Sequence, residues 1–396
     1  MKIVLAYSGG LDTSVCIKWL EEKYDAEVIT LTMELGQESG DLREIEEKAK
    51  KLGAVKTYSI DAQSEFVENY INPAIWANGL YEGKYPLATA LGRPLIGKWM
   101  VDIAHKEGAD AVAHGSTGKG NDQVRLDVTV KALDPKLKVI APVRQWPMTR
   151  EEEINYAREH DIQIPVTVDD PYSYDTNLWG KSAEAGPLED PMNEPKEACM
   201  QLTAPPEQAP DEPHYVSIDF HRGLPVALDE KVVDEVELIK QLNQLAGAHG
   251  VGRIDMIEDR LVGIKSRETY ECPAATVILE AHKELERLCL TREQNSFKPA
   301  LDQKWGELVY YGLWYEPLKD DIQSFIENTQ KYVTGKVRLK LYKGSCTVVG
   351  RESPQSLYDL GLATYDKGDS FDHTSAEGFI NIWGLPSRTS GERKKR

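Results

Sequence analysis

The sequence predicts an α/β fold: a doubly wound parallel sheet over residues 1–165, an α+β domain over 166–360 and a C-terminal helical arm over 361–396. Three observations predict it. Short, continuous apolar runs alternate with stretches of helical spacing through the first part, the pattern of β-α-β units whose strands are covered on both faces. Seven prolines lie between Pro187 and Pro213, a density that neither a helix interior nor a central strand tolerates, so this stretch is a connecting arm. Beyond the arm, apolar residues alternate on either side of tight turns, which signals antiparallel hairpins.

Taken in order, Ile3 to Tyr7 is a buried strand that ends at Ser8-Gly9-Gly10, after which Val15, Trp19 and Leu20 recur at helical spacing. Glu27 to Leu35 is a second strand. Leu42, Ile45, Ala49 and Leu52 fall three or four apart in a helix that Gly53 stops. Lys56–Asp61, Ala109–His114 and Lys138–Ala141 read as strands, and Leu95–Lys106 and Thr149–His160 as helices. Thr149 and Glu152 have the T-x-x-E spacing of a capping box. In the second half, Tyr215–Phe220 and Pro225–Leu228 flank an Arg222-Gly223 turn, and Val337, Leu339 and Leu341 alternate ahead of Lys343-Gly344. Helices are expected near 232–248, 274–289 and 317–332, with a terminal one near 374–384.

A chain of 396 residues carries two or three domains at roughly 100–200 residues each. Lys and Arg number 47 against 65 Asp and Glu, and the net charge of −18 repels nucleic acid and anionic membranes. The five cysteines are scattered, with no C-x-x-C, so neither a disulfide framework nor a zinc site is suggested. The eight histidines show no metal-ligand spacing either, and no protein-built metal site is expected. No apolar run approaches a membrane span, and the first one is too short for a secretory signal. The expectation is a soluble, cytoplasmic protein.

Two loops carry chemistry. The turn Tyr7-Ser8-Gly9-Gly10-Leu11-Asp12-Thr13-Ser14 joins a strand to a helix, so glycine amides, three hydroxyls and a helix N-terminus converge as an anion cradle. It lacks the lysine of a P-loop, and the chain has no G-x-G-x-x-G. Asp12 beside a phosphate site suggests a cation carried with the phosphates. Taken alone, the turn reads equally well as an ordinary capped helix start. The second loop, His114 to Gln123, holds three glycines with Thr117, Asn121 and Asp122 and follows another strand of the same sheet. Two such loops at strand ends of one sheet point to a nucleotide plus a second polar substrate, because ligands of open α/β sheets bind there.

Ser8-Gly9-Gly10-Leu11-Asp12-Thr13 resembles the SGG-x-D-[ST] pyrophosphate loop of the ATP-pyrophosphatase superfamily. Together with Gly115–Gln123, Gly250–Asp255, Gly263–Arg267 and Gly350–Pro354, it resembles the argininosuccinate synthase family over essentially the whole chain. The resemblance implies an enzyme that joins citrulline and aspartate through a citrullyl-adenylate, consuming ATP with Mg²⁺ and releasing AMP and pyrophosphate. It also implies the site. Ala6, Tyr7, Ser8, Gly9, Gly10, Leu11, Asp12, Thr13, Ser14, Met33 and Gly115 would hold ATP, and Thr117, Asn121 and Asp122 would hold aspartate. Tyr85, Thr89, Asn121, Arg125, Ser173, Ser182, Glu258 and Tyr270 would hold citrulline, with Asp12, Asp122 and Arg125 acting in catalysis. Ala90 departs from relatives that have a hydroxyl residue there. The family further implies a homotetramer whose C-terminal arms cross between subunits, which suits a tail crowded with Phe379, Ile380, Ile382 and Trp383.

Two rivals share the first loop. A tRNA-modifying adenylating enzyme needs basic density that a net charge of −18 does not supply. A nucleotide-binding module without turnover leaves the second loop and the polar residues of the distal half without a purpose.

Overall fold

Strands β1 (Lys2–Ala6), β2 (Glu27–Glu34), β3 (Lys56–Asp61), β4 (Ala111–Ala113) and β5 (Lys138–Ile140) form a parallel sheet in the order β3-β2-β1-β4-β5. This computed structural model describes residues 1–37, 42–146, 150–162 and 171–394. The central strands β1, β2 and β4 are mostly apolar and buried because each face packs into its own core, whereas β3 at the edge is half-buried and largely polar. Ile3 and Leu5 of β1 join the cluster beneath helix Leu11–Tyr24, while Val4 between them joins the cluster shared with the second half. Strand order reverses between β1 and β4, which opens a crevice at their carboxyl ends.

The expected strands and helices of this sheet are present, and of the additional differences two bear on the site. Helix Ala88–Glu107 starts earlier than Leu95, and its first turn brings Thr89 to the crevice. Helix Asp122–Leu133 follows the second loop, where the sequence reading has none. Thr149 of the expected capping box lies outside the described residues, as does the expected boundary at 165/166.

Between Pro187 and Pro213 the chain makes only the short 3₁₀ turns Gly186–Glu189 and Glu197–Cys199 among its described residues, as the proline density requires. Two antiparallel sheets flank it in sequence. One consists of β8 (His214–His221), β9 (Leu224–Leu228), β10 (Lys231–Val232), β13 (Gly335–Tyr342) and β14 (Ser345–Glu352), in the order β10-β9-β8-β13-β14, and contains both expected hairpins. The other contains β6 (Ser173–Asn177), β7 (Gly180–Glu184), β11 (Arg253–Asp259) and β12 (Lys265–Glu271), in the order β11-β12-β7-β6. None of its strands stands out in the sequence, because polar residues occupy both faces. Helix Arg292–Tyr310 is also unexpected: Pro299 inside it breaks the pattern, while a Thr291/Gln294 capping box starts it.

Residues 1–355 form one unit and 356–396 a second. The second holds the expected helix as His373–Trp383, capped by Asp372, and a following helix Leu385–Arg393. Among the described residues, no helix is long and apolar enough to cross a membrane.

Candidate active site

The first loop folds as a cradle. Gly9 has φ +81, a conformation that side chains with a Cβ rarely adopt. Helix Leu11–Tyr24 starts at Gly10 with no side-chain cap, so its leading N–H groups face the crevice without a capping acceptor. Ser8 Oγ and Thr13 Oγ1 lie 3.1 Å apart, and the amides of Ser8 and Gly10 make only long bonds of 3.3 Å to these hydroxyls. A phosphate oxygen would displace such weak partners. The second loop comes close: a Cβ on Gly115 would lie 3.1 Å from Thr13 Cγ2.

The two loops border a cleft of about 670 Å³ lined by Ala6, Tyr7, Ser8, Gly10, Leu11, Asp12, Thr13, Met33 and Gly115. Two of the expected ATP residues support it from behind. Gly9 turns its carbonyl to Lys48 Nζ at 2.6 Å, and buried Ser14 pairs with the Tyr7 hydroxyl at 3.2 Å. Lys48, on helix Leu42–Lys51, thus supplies a cation at the loop that lacks a P-loop lysine. Burial pushes its ammonium below the usual lysine range.

Beside the cleft is a small cavity of about 80 Å³ lined by Tyr85, Thr89, Asn121, Asp122, Arg125, Ser182, Glu258 and Tyr270. Asp175 belongs to both walls. The polar sheet brings the distant residues together: Tyr270 on β12 pairs in register with Ser182 on β7, which pairs with Asp175 on β6. Ser173 stands two residues along β6 and lines the larger cleft instead. Thr117 is exposed on its loop and lines neither. Ala90 is fully buried and does not line the cavity that its neighbour Thr89 lines.

Charge in the cavity is arranged in pairs. Asp122 accepts from Arg93 at 2.7 Å and from Arg125 at 3.0 Å, while Arg93 also bonds Asp175. Burial pushes the Asp122 carboxyl up, but the two guanidiniums more than offset it and hold it below the usual carboxylate range. For Glu258, burial raises the carboxyl, and hydroxyl donation from Tyr270 at 2.6 Å and from Tyr310 opposes the rise. Arg260 bonds both Glu184 and Glu268; burial, then Glu184 and Glu258, push Glu268 up to about 8. Arg125 is 3% exposed, and its Nη2 has no hydrogen-bond partner among the described residues. A buried guanidinium N–H left open costs stability unless a ligand oxygen fills it.

Arg93, Asp175, Glu184, Arg260, Glu268 and Tyr310 are absent from the sequence reading. Only Arg93 leaves a local signal, being one helical turn from Thr89 on the same face. The others depend on strand register or on a distant helix.

A parallel sheet with a phosphate cradle at its switch point, opening onto a cavity lined by charges of both signs, defines a nucleotide-dependent enzyme acting on a small zwitterionic substrate. Residues 2–163 match the Arginosuccinate synthase N-terminal HUP domain and residues 172–390 the Arginosuccinate synthase C-terminal domain. The argininosuccinate synthase of Rubrobacter xylanophilus is 59% identical over 387 residues, 98% of this chain and 94% of that one. Those of Oceanobacillus iheyensis and Bacillus subtilis are 58% and 54% identical, covering 98% and 100% of this chain and 93% and 98% of theirs. The chain belongs to the argininosuccinate synthase family.

Proposed function

We propose that this enzyme, an ATP-dependent carbon–nitrogen ligase, joins citrulline to aspartate, forming argininosuccinate with release of AMP and pyrophosphate. The observation that carries this reading is the shared wall: the phosphate cleft and the charged cavity meet at Asp175, so a substrate held in one can reach a nucleotide held in the other. The ureido oxygen of citrulline attacks the α-phosphorus and pyrophosphate leaves. The aspartate amine then attacks the ureido carbon, losing a proton as AMP departs. Catalysis is positioning and charge stabilisation, with no covalent side-chain intermediate.

In this reading the amides at Gly10 and the helix start hold the phosphates, and Gly9 is shaped by Lys48. Asp12 with the hydroxyls of Ser8 and Thr13 is a hard-oxygen set that suits Mg²⁺ arriving with ATP, which would neutralise the departing pyrophosphate. The open Nη2 of Arg125 receives a substrate carboxylate, and Glu258 accepts N–H from citrulline. Asp122, kept ionised by Arg93 and Arg125, faces the ammonium of aspartate together with Asn121. The test is pyrophosphate release from ATP. Sustained release that requires both amino acids, with at most one equivalent per site from citrulline alone, supports the reading; sustained release with citrulline alone, or any release with aspartate alone, overturns it.

The finer proposals are a cytoplasmic location, no nucleic-acid partner, a division into 1–165, 166–360 and 361–396, and a homotetramer held by the tail. Helix His373–Trp383 has no buried residue although Phe379, Ile380, Ile382 and Trp383 crowd into it, and so short a helix needs a surface to cover them. Light scattering on the full chain and on one ending at Gly368 tests the arm: loss of assembly mass in the shorter chain supports it. A folded shorter chain with the full mass removes it.

A further inference from the structure

Tyr310 ends helix Arg292–Tyr310, is fully buried and does not line the cavity. Its hydroxyl nevertheless bonds two residues that do. It donates to Glu258 Oε1 at 2.5 Å and accepts from Asn121 Nδ2 at 2.8 Å. Its carbonyl accepts from Arg125 Nε at 3.0 Å, and its ring lies 4.8 Å from the Arg125 guanidinium carbon. The packing of Tyr310 does not need the hydroxyl: the ring stacks on Tyr81 at 3.4 Å between centroids, which phenylalanine would reproduce. The hydroxyl therefore serves its two partners. Asn121 is turned by this bond at one end and by the Leu261 N–H at the other, at 2.9 Å. Its amide is thereby fixed between the Gly-rich loop and the β11–β12 turn.

We propose that the Tyr310 hydroxyl makes this residue a positioning residue that aims the Glu258 carboxylate into the cavity and locks it to Asn121. The proposal rests on the reading of Glu258 as a citrulline contact. With Oε1 taken by Tyr310 and Oε2 by Tyr270, each oxygen keeps a lone pair directed at a ligand N–H. The groups facing Glu258 are Tyr270 and Glu268 on β12, Arg125 on helix Asp122–Leu133 and Arg260 on its own hairpin. Tyr81 and Tyr85 face it from the turn before helix Ala88–Glu107. Of the neutral donors among these, Tyr310 and Tyr270 alone bond the carboxylate among the described residues, so removing one weakens the stabilisation of its charged form.

The test is steady-state kinetics of the full chain against pH. Tyr310→Phe should raise the KM for citrulline at least tenfold, leave the KM for ATP within twofold and move the acid limb of kcat/KM for citrulline to higher pH. Replacing Tyr310 with 3-fluorotyrosine keeps the shape, strengthens donation and should move that limb to lower pH, a result available even if the phenylalanine variant does not fold. In a Glu258→Gln background, Tyr310→Phe should shift no limb. A wild-type chain without citrulline- and aspartate-dependent turnover sinks the functional reading itself. An active wild-type chain whose acid limb ignores 3-fluorotyrosine, or whose Tyr310→Phe variant has unchanged citrulline kinetics, overturns the role of Tyr310 alone.

Discussion

The two walls of the cleft are made of different material. The nucleotide wall is mostly main chain: a glycine turn at positive φ, the uncapped start of a helix, and a second glycine loop whose Gly115 lies so near Thr13 that an added Cβ would crowd it. The amino-acid wall is side chain, with Arg125, Asp122, Glu258, Ser182 and Tyr270 brought in by a polar sheet and one helix. A phosphate is the same in every nucleotide and can be met by backbone donors. Discrimination between similar amino acids needs groups of chosen charge and reach, so that wall is assembled from parts far apart in the chain.

If the comparison is right, substitutions on the amino-acid wall alter affinity for one substrate, and those on the nucleotide wall alter turnover or ATP. Arg125→Met should have the largest effect, lowering kcat/KM for citrulline by about 2–5 kcal/mol, because it removes a buried cation and loosens Asp122. An equal loss for ATP, measured by initial rates at saturating amino acids, would break the distinction. Asp12→Asn should lower kcat by about tenfold to a hundredfold at saturating Mg²⁺, with an unchanged melting curve, since its carboxylate faces the cleft. Near-normal turnover would remove Asp12 from the pyrophosphate machinery. Glu258→Gln should weaken citrulline before aspartate by about 1–3 kcal/mol, and equal loss for both substrates contradicts the assignment. Gly115→Ala should have the smallest effect, a few-fold rise in the KM for ATP alone, because Thr13 needs to give way by only a few tenths of an ångström.

The same contrast explains what could be read from the sequence. Strands β1, β2 and β4 announce themselves because burial on both faces demands mostly apolar side chains, and the cradle does so because Ser8-Gly9-Gly10 is a local motif. Nothing local marks β6, β7, β11 and β12. Ser182, Glu258 and Tyr270 sit on them where apolar residues would have given an alternating pattern, so the functional residues erase the signal of their own strands. The resemblance supplied those residues, whereas Glu184, Arg260 and Tyr310 became visible only through register and long-range packing. Ser173 and Thr117 stand outside the small cavity for the same reason: sequence position cannot say which face of a strand or loop meets which wall.

The clamp on Asn121 has a consequence for the order of events at the ribosome. Its partners Leu261 and Tyr310 follow it by 140 and 189 residues. At roughly 5–20 residues per second, the chain carries a synthesised glycine loop for about ten to forty seconds before Tyr310 is made. Contacts of such separation close large loops and form slowly. The phosphate cradle is sequence-local and can take shape while translation continues, but the amino-acid wall cannot be completed until helix Arg292–Tyr310 has emerged. A nascent chain is thus able to hold a nucleotide before it has anything with which to spend it.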